Sequence, residues 1–213
     1  PFKYPALTEA LKLSLNVAAV STAIALVLGT LVAVALVRQR FRGRTAVDTF
    51  MVLPLTSPEV VMGASLLTMF LSLGWATGYV TIVAAHVAFE ISFIAMTVRA
   101  RIRGFDWTLE DASLDLGANK VATFFRITVP LNMPGIVAGI ILVFIPSIGQ
   151  FVVSDLLGGA KSILAGNLIQ NQFAIARNKP FGAAIAFELT AVVLVLLFAY
   201  AMYTKRKGQE VLL

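Results

Sequence analysis

Five ionisable side chains stand in or just outside long apolar stretches: Glu59, His86, Glu90, Asp155 and Glu188. A charge near a bilayer centre costs about 2.5–3.5 kcal/mol on insertion scales, so each such group must face a polar cavity or lie close to an interface. Glu59 follows Ser57-Pro58, a pair that can open the helical backbone towards a pathway. His86 and Glu90 are four residues apart and share a helix face, which fits either a structural pair or a pair along a solute path. Asp155 could line a path, contact an external partner or cap the segment at Leu156; Glu188 fits a path or a salt bridge to another helix. Gln150, Phe151 and Ser154 sit where Pro146 and Gly149 are expected to interrupt a helix, and broken helices at membrane depth often line a site.

Covalent chemistry has no comparable constellation. There is one His and no Cys, so neither a metal cage nor a thiol nucleophile is expected, and no catalytic residue is assigned. A phosphate-cradling loop needs G-x-x-x-x-G-K-[ST]. The nearest string, within SDLLGGAKS at 154–162, has Asp155 and Ala160 where the glycines belong. This chain is therefore expected to bind no nucleotide, and to take its energy from a partner or a gradient.

The elements that must position these groups are membrane helices. Of 213 residues 59% are apolar and 13% charged, the mean hydropathy is +0.89, and soluble domains carry roughly 25% charged residues. An all-α polytopic membrane protein follows, a single domain over 1–213. Five spans are expected: Leu13–Val37; about Val47–Leu73, interrupted by Pro54, Pro58 and Glu59; a third ending at Val98 after the Gly74–Gly78 turn; Ile127–Ser154, broken by Pro130, Pro134 and Pro146; and about Phe181–Tyr203. The loops 38–44, 99–126 and 205–207 hold 12 of the 17 Lys and Arg, whereas the Leu73–Tyr79 turn holds none. Basic loops stay in the cytoplasm. The C-terminus is thus expected inside, Pro1 outside, and a sixth span upstream of it. The arginines at 38–44 read as topogenic and lipid-headgroup contacts, with no nucleic-acid partner expected.

The inner loop at 99–126 has a pattern of its own. Trp107–Leu116 is amphipathic with Glu110 and Asp111 near its N-terminus, where the helix dipole favours carboxylates. Gly117 then permits a sharp turn into a second short helix. This helix-Gly-helix unit, about 106–126, can fill a groove in a cytoplasmic partner or lie on lipid. Asp111-Ala112-Ser113, Gly117, Ile127 and Val129-Pro130 resemble the coupling loop of binding-protein-dependent ABC importer permeases, a pattern of Glu-Ala-Ala, three residues, Gly, nine residues, Ile, one residue, Leu-Pro. Asp111, Ser113 and Val129 are small departures at matching positions.

The resemblance covers essentially the whole chain and is nearest to permeases of the spermidine/putrescine type. RQRFRGR at 38–44, SPEVVMGASLL at 57–67 and RGFD at 103–106 look like one permease subunit of such systems; IPSIGQFVVSDLLGG at 145–159 and KPFGAA at 179–184 look more like its partner. It implies the type I ABC importer permease fold, placed in the bacterial inner membrane. It also implies a cytoplasmic ATPase dimer carrying ATP and Mg, a second permease subunit (homologous or identical), an external substrate-binding protein and surrounding lipid. The coupling residues would be Glu110, Asp111, Ala112, Ser113, Gly117, Ile127 and Pro130. A polyamine path would need spaced carboxylates with apolar or aromatic surface for the methylenes, and the resemblance favours Glu59 in that role. Other solutes (ferric ion, an oxyanion, a sugar) fit the same coupling loop, as does a scaffold or channel that transports nothing by itself.

Overall fold

The computed structural model describes residues 5–159 and 162–206, with side chains to Met202. The expected charges at Lys3, Lys161 and Lys205 to Lys207 lie outside those residues and side chains. Eleven helices follow in order: α1 (Pro5–Arg38), α2 (Arg44–Thr56), α3 (Glu59–Ser72), α4 (Tyr79–Ile102), α5 (Thr108–Asp115), α6 (Lys120–Thr123), α7 (Val129–Leu131), α8 (Met133–Gly149), α9 (Val152–Leu157), α10 (Ala165–Ala174) and α11 (Lys179–Arg206). A π-helical turn, Phe124–Thr128, joins α6 to α7.

Helices α1, α4 and α8 pack against one another as the centre of the bundle. Small residues set their spacing. A Cβ on Gly29 of α1 would lie 2.9 Å from Ile94 Cγ2 of α4, and one on Gly135 of α8 would lie 2.6 Å from Arg101 Cβ, so Gly135 and Gly139, four residues apart on α8, sit at a close helix crossing. The core between them holds Ala25, Ala33, Ile94, Val98, Ile136 and Val143. At the end away from the arginines, α3, α4 and α9 enclose Phe70, Ile82, Val83 and Leu157. There the Thr81 hydroxyl donates to Leu157 O at 2.8 Å and the Gly78 amide donates to the same carbonyl at 2.8 Å, stitching the Gly74–Gly78 turn to α9.

Three helices, α1, α4 and α11, are long and apolar enough to cross a membrane, and five spans result if each bent pair counts as one. The bends fall at the expected interruptions: α2 and α3 meet at 114° across Ser57-Pro58. The fourth span bends by 70° at Asn132, between Pro130 and Pro134, and its helix ends at Gly149, short of the expected Ser154. Helix α8 passes through Pro146 without stopping and ends at Gly149, so of the two expected interruptions only Gly149 marks the break.

Candidate functional site: an acidic cleft and a basic-end hairpin

The two breaks and the middle of α4 open a cleft of about 400 Å³. Pro54, Ser57 and Glu59 form its α2–α3 wall; His86, Phe89, Glu90 and Phe93 come from α4; Pro146, Ser147 and Gln150 come from the end of α8. Glu59 is the first residue of α3, where the N-terminal dipole favours a carboxylate.

Glu90 is the deepest charge in the cleft, 4% exposed. Ser21 Oγ of α1 donates to Glu90 Oε1 at 2.9 Å, and Ser147 Oγ lies 2.7 Å from the same oxygen. Glu90 Oε2 has no hydrogen bond of normal geometry, and the Thr22 hydroxyl of α1, also without one, stands near the carboxyl. His86, also 4% exposed, contacts Ile82 O through Nδ1 at 2.9 Å and leaves Nε2 without a partner. No hydrogen bond joins His86 to Glu90, so the structural-pair reading fails in its simplest form. Gln150 uses its side-chain oxygen to accept from the amides of Phe151 (2.6 Å) and Val152 (2.9 Å), which starts α9 after the break.

The cleft thus gathers Glu59, His86, Glu90 and Gln150. It omits three residues expected with them. Phe151 is 38% exposed and does not line it. Asp155 is exposed in the first turn of α9 and accepts from Asn167 Nδ2, so it ties α9 to α10. Glu188 sits on α11 away from the cleft, with both oxygens buried and no hydrogen bond or ion pair found for them among the described residues; the expected salt bridge is absent there. Two residues that sequence reasoning missed, Ser21 and Ser147, hold Glu90. Each is a serine in an apolar helix with no local signal, and only tertiary packing brings them together.

At the basic end the loop after α4 folds as a helix-turn-helix. Helix α5 is closed two residues after Asp115 by Gly117, whose φ of +90° is the left-handed region that glycine enters freely. Asn119 then caps α6 by accepting from the Ala122 amide at 2.8 Å, and the Ser113 and Thr123 hydroxyls meet at 3.0 Å across the hairpin. Asp111 and Ala112 are exposed, as are Leu116 at 90%, Val121 at 66% and Phe125 at 64%. Ile127 is half-buried and Pro130 exposed. Glu110 faces the other way. It is buried, forms an ion pair with Arg38 at the end of α1, and accepts from Thr128 Oγ1. Arg38 also stacks over Trp107, its guanidinium carbon 5.1 Å from the ring centroid. Just before α5, the Thr108 hydroxyl and amide hold the Asp106 carboxyl below its ordinary pKa. A second basic-end pair, bidentate, joins Arg99 of α4 to Asp48 of α2.

Membrane-crossing helices around an acidic cleft, with a helical hairpin exposed at the basic end, define a membrane subunit of the transport class. The chain belongs to the family of binding-protein-dependent transport system inner membrane components, whose model matches residues 25–209. It is 39% identical over 151 residues to the spermidine/putrescine transport system permease protein PotB of Haemophilus influenzae, a match covering 68% of this chain and 53% of that protein. It is 34% identical over 213 residues to the putrescine transport system permease protein PotI of Escherichia coli, covering 97% of this chain and 76% of that one. The chain therefore spans about half the length of the first relative and about three-quarters of the second. Among solved structures, an amino acid ABC transporter matches with TM-score 0.73 and 15% identity, over 95% of this chain and 94% of that one. A bacterial transporter importing the acidic polysaccharide alginate also reaches 0.73, with 18% identity over 96% and 81%. These likenesses establish the importer permease fold expected from the sequence.

Proposed function

We propose that this chain is a permease subunit of an ATP-driven importer and forms part of the membrane path for polyamines such as spermidine and putrescine. The observation that carries the reading is the cleft itself, where Glu90 has an oxygen with no partner, Phe89 and Phe93 stand beside it on the α4 wall, and Glu59 comes from the start of α3. Carboxylates attract the ammonium groups of a linear polycation and the rings accept its methylenes. PotB and PotI, by their names, transport such solutes.

The hairpin at 107–125 supports the partner reading. Its exposed Leu116, Val121 and Phe125 beside Asp111 and Asp115 suit a groove on a cytoplasmic ATPase dimer. ATP and Mg belong to those subunits. The basic end then faces the cytoplasm, in keeping with the excess of Lys and Arg there, and an external binding protein delivers solute at the Gly74–Gly78 end. A second permease subunit completes the path. When the ATPase dimer closes on ATP it pushes the hairpin, and the spans rock about the cleft; no covalent step falls to this chain.

The test is uptake of labelled spermidine by cells with and without the gene, in a strain with no other polyamine importer, challenged with unlabelled putrescine, an oxyanion and a sugar. Uptake that disappears with the gene and yields only to polyamines is the expected result. Uptake that persists without the gene, or that the sugar or oxyanion blocks, overturns the substrate assignment.

A further inference from the structure

We infer that the cleft holds one primary ammonium group between Glu90 Oε2 and His86 Nε2, with His86 serving as a neutral hydrogen-bond acceptor that selects for N–H donors. The inference deepens the polyamine reading above and rests on it for the identity of the solute. His86 and Glu90 stand one turn apart on α4, at the i, i+4 spacing that brings side chains together. Both are 4% exposed and both line the cleft.

The acceptor role of His86 follows from its other nitrogen. Nδ1 lies 2.9 Å from the Ile82 carbonyl oxygen. A carbonyl only accepts, so Nδ1 carries the ring proton. In a neutral imidazole the second nitrogen is then a bare lone pair. An imidazolium would bury a charged Nε2–H with no acceptor bonded to it, which is costly; both Nε2 and Glu90 Oε2 lack partners. Two buried acceptors one turn apart on α4 and lining one cleft call for a donor with at least two N–H groups, and the carboxylate calls for a positive charge. A water could bridge them but would leave the charge uncompensated. A primary ammonium supplies both donors and charge. Phe89 and Phe93, also at i, i+4 spacing and on the same wall, can take the first methylenes of its chain. Glu90 Oε1 has no further part, being held by Ser21 and Ser147.

This arrangement makes a sharper demand than charge alone. A quaternary ammonium brings charge without N–H donors, and an alcohol brings a donor without charge; neither satisfies both acceptors.

The chain's single histidine makes the test direct. The full chain in its transport complex, in lipid nanodiscs without binding protein, carries 15N-labelled histidine; a difference spectrum against His86→Gln isolates the two ring nitrogens. The probes are 1-butylamine, butyltrimethylammonium and 1-butanol. We expect the amine-free ring to be neutral with the proton on Nδ1. Butylamine alone should then move the Nε2 resonance. His86→Phe should weaken butylamine binding by about tenfold, the scale of a charge-assisted hydrogen bond, and His86→Gln, which keeps an acceptor oxygen, by less. An imidazolium in the amine-free complex, or an equal response to butyltrimethylammonium, overturns the inference even where a variant fails to fold. A butylamine response in a complex that imports no polyamine supports this pocket and overturns the substrate assignment. Polyamine uptake with no movement of the His86 signal overturns the pocket alone.

Discussion

Glu90 is gripped on one side. Ser21 of α1 donates to Oε1 at 2.9 Å, and Ser147 Oγ of α8 lies 2.7 Å from Oε1 and 2.8 Å from Val143 O, so its one proton serves either acceptor. Three helices thus meet at a single carboxylate oxygen, fixing the plane of the group. Replacing both serines with alanine leaves a buried charged acceptor unsatisfied, worth about 1–3 kcal/mol or more. The double variant Ser21→Ala with Ser147→Ala should lower the apparent Tm of the purified complex and reduce polyamine uptake, each single variant doing so by part. The Ser147 change should weigh less on stability, because alanine no longer competes for the Val143 carbonyl. A double variant with wild-type Tm and uptake would show that the hydroxyls do not hold Glu90.

Helix α1 connects that carboxylate to the hairpin. Ser21 and Arg38 lie on one unbroken helix of 34 residues, about 25 Å apart along its axis, and Arg38 pairs with Glu110 of α5. In the proposed coupling, a push on the hairpin is carried to the serine contact through this one helix. Breaking a buried ion pair costs about 3–5 kcal/mol; with Arg38 at 37% side-chain exposure and Glu110 at 6%, the lower end or less applies here. Arg38→Glu or Glu110→Arg alone should leave ATP hydrolysis running without uptake, and the two together should recover part of the coupling, measured as solute imported per ATP in proteoliposomes. A swapped pair no better than either single variant would remove this joint from the path of motion. The hairpin was legible in the sequence because its signals are local: carboxylates at a helix start, Gly117 at its end, small residues between. Glu110 was legible as a hairpin residue but not as one turned inward, since Arg38 lies 72 positions away. The breaks were visible as Ser57-Pro58 and as the prolines of the fourth span, yet their angles of 114° and 70° depend on what each half packs against. Gln150 shows the same limit. Its polarity marked it, but its use as a cap for α9 comes from the backbone's turn at that point.

At the scale of the whole molecule the two ends differ in chemistry. The basic end holds both described ion pairs, Arg38 with Glu110 and Arg99 with Asp48, and the hairpin; the other end is closed by the uncharged Gly74–Gly78 turn and by α9. Between them the surface is apolar. Helix α11 leaves Phe187 79% exposed and Phe198 68%, and no residue of α2 is buried, as suits helices whose outer faces meet lipid rather than water. In the proposed orientation the excess of Lys and Arg keeps the basic end in the cytoplasm. Because the chain has no cysteine, a single introduced thiol reports its own side with no background. Asp115→Cys on the hairpin and Arg42→Cys in the arginine loop should resist a membrane-impermeant maleimide in intact cells and react in inside-out vesicles. Thr77→Cys and Asp155→Cys should behave in the opposite way; both replace side chains outside the cleft, and Thr77 lies in the far turn. Labelling of Asp115→Cys from outside would invert the molecule, put the hairpin out of reach of any cytoplasmic ATPase and overturn the coupling proposal at its root. Protection of the hairpin with exposure of the turn would leave the cleft between a supply side and an energy side, the one arrangement in which pushing on α1 can drive solute inward.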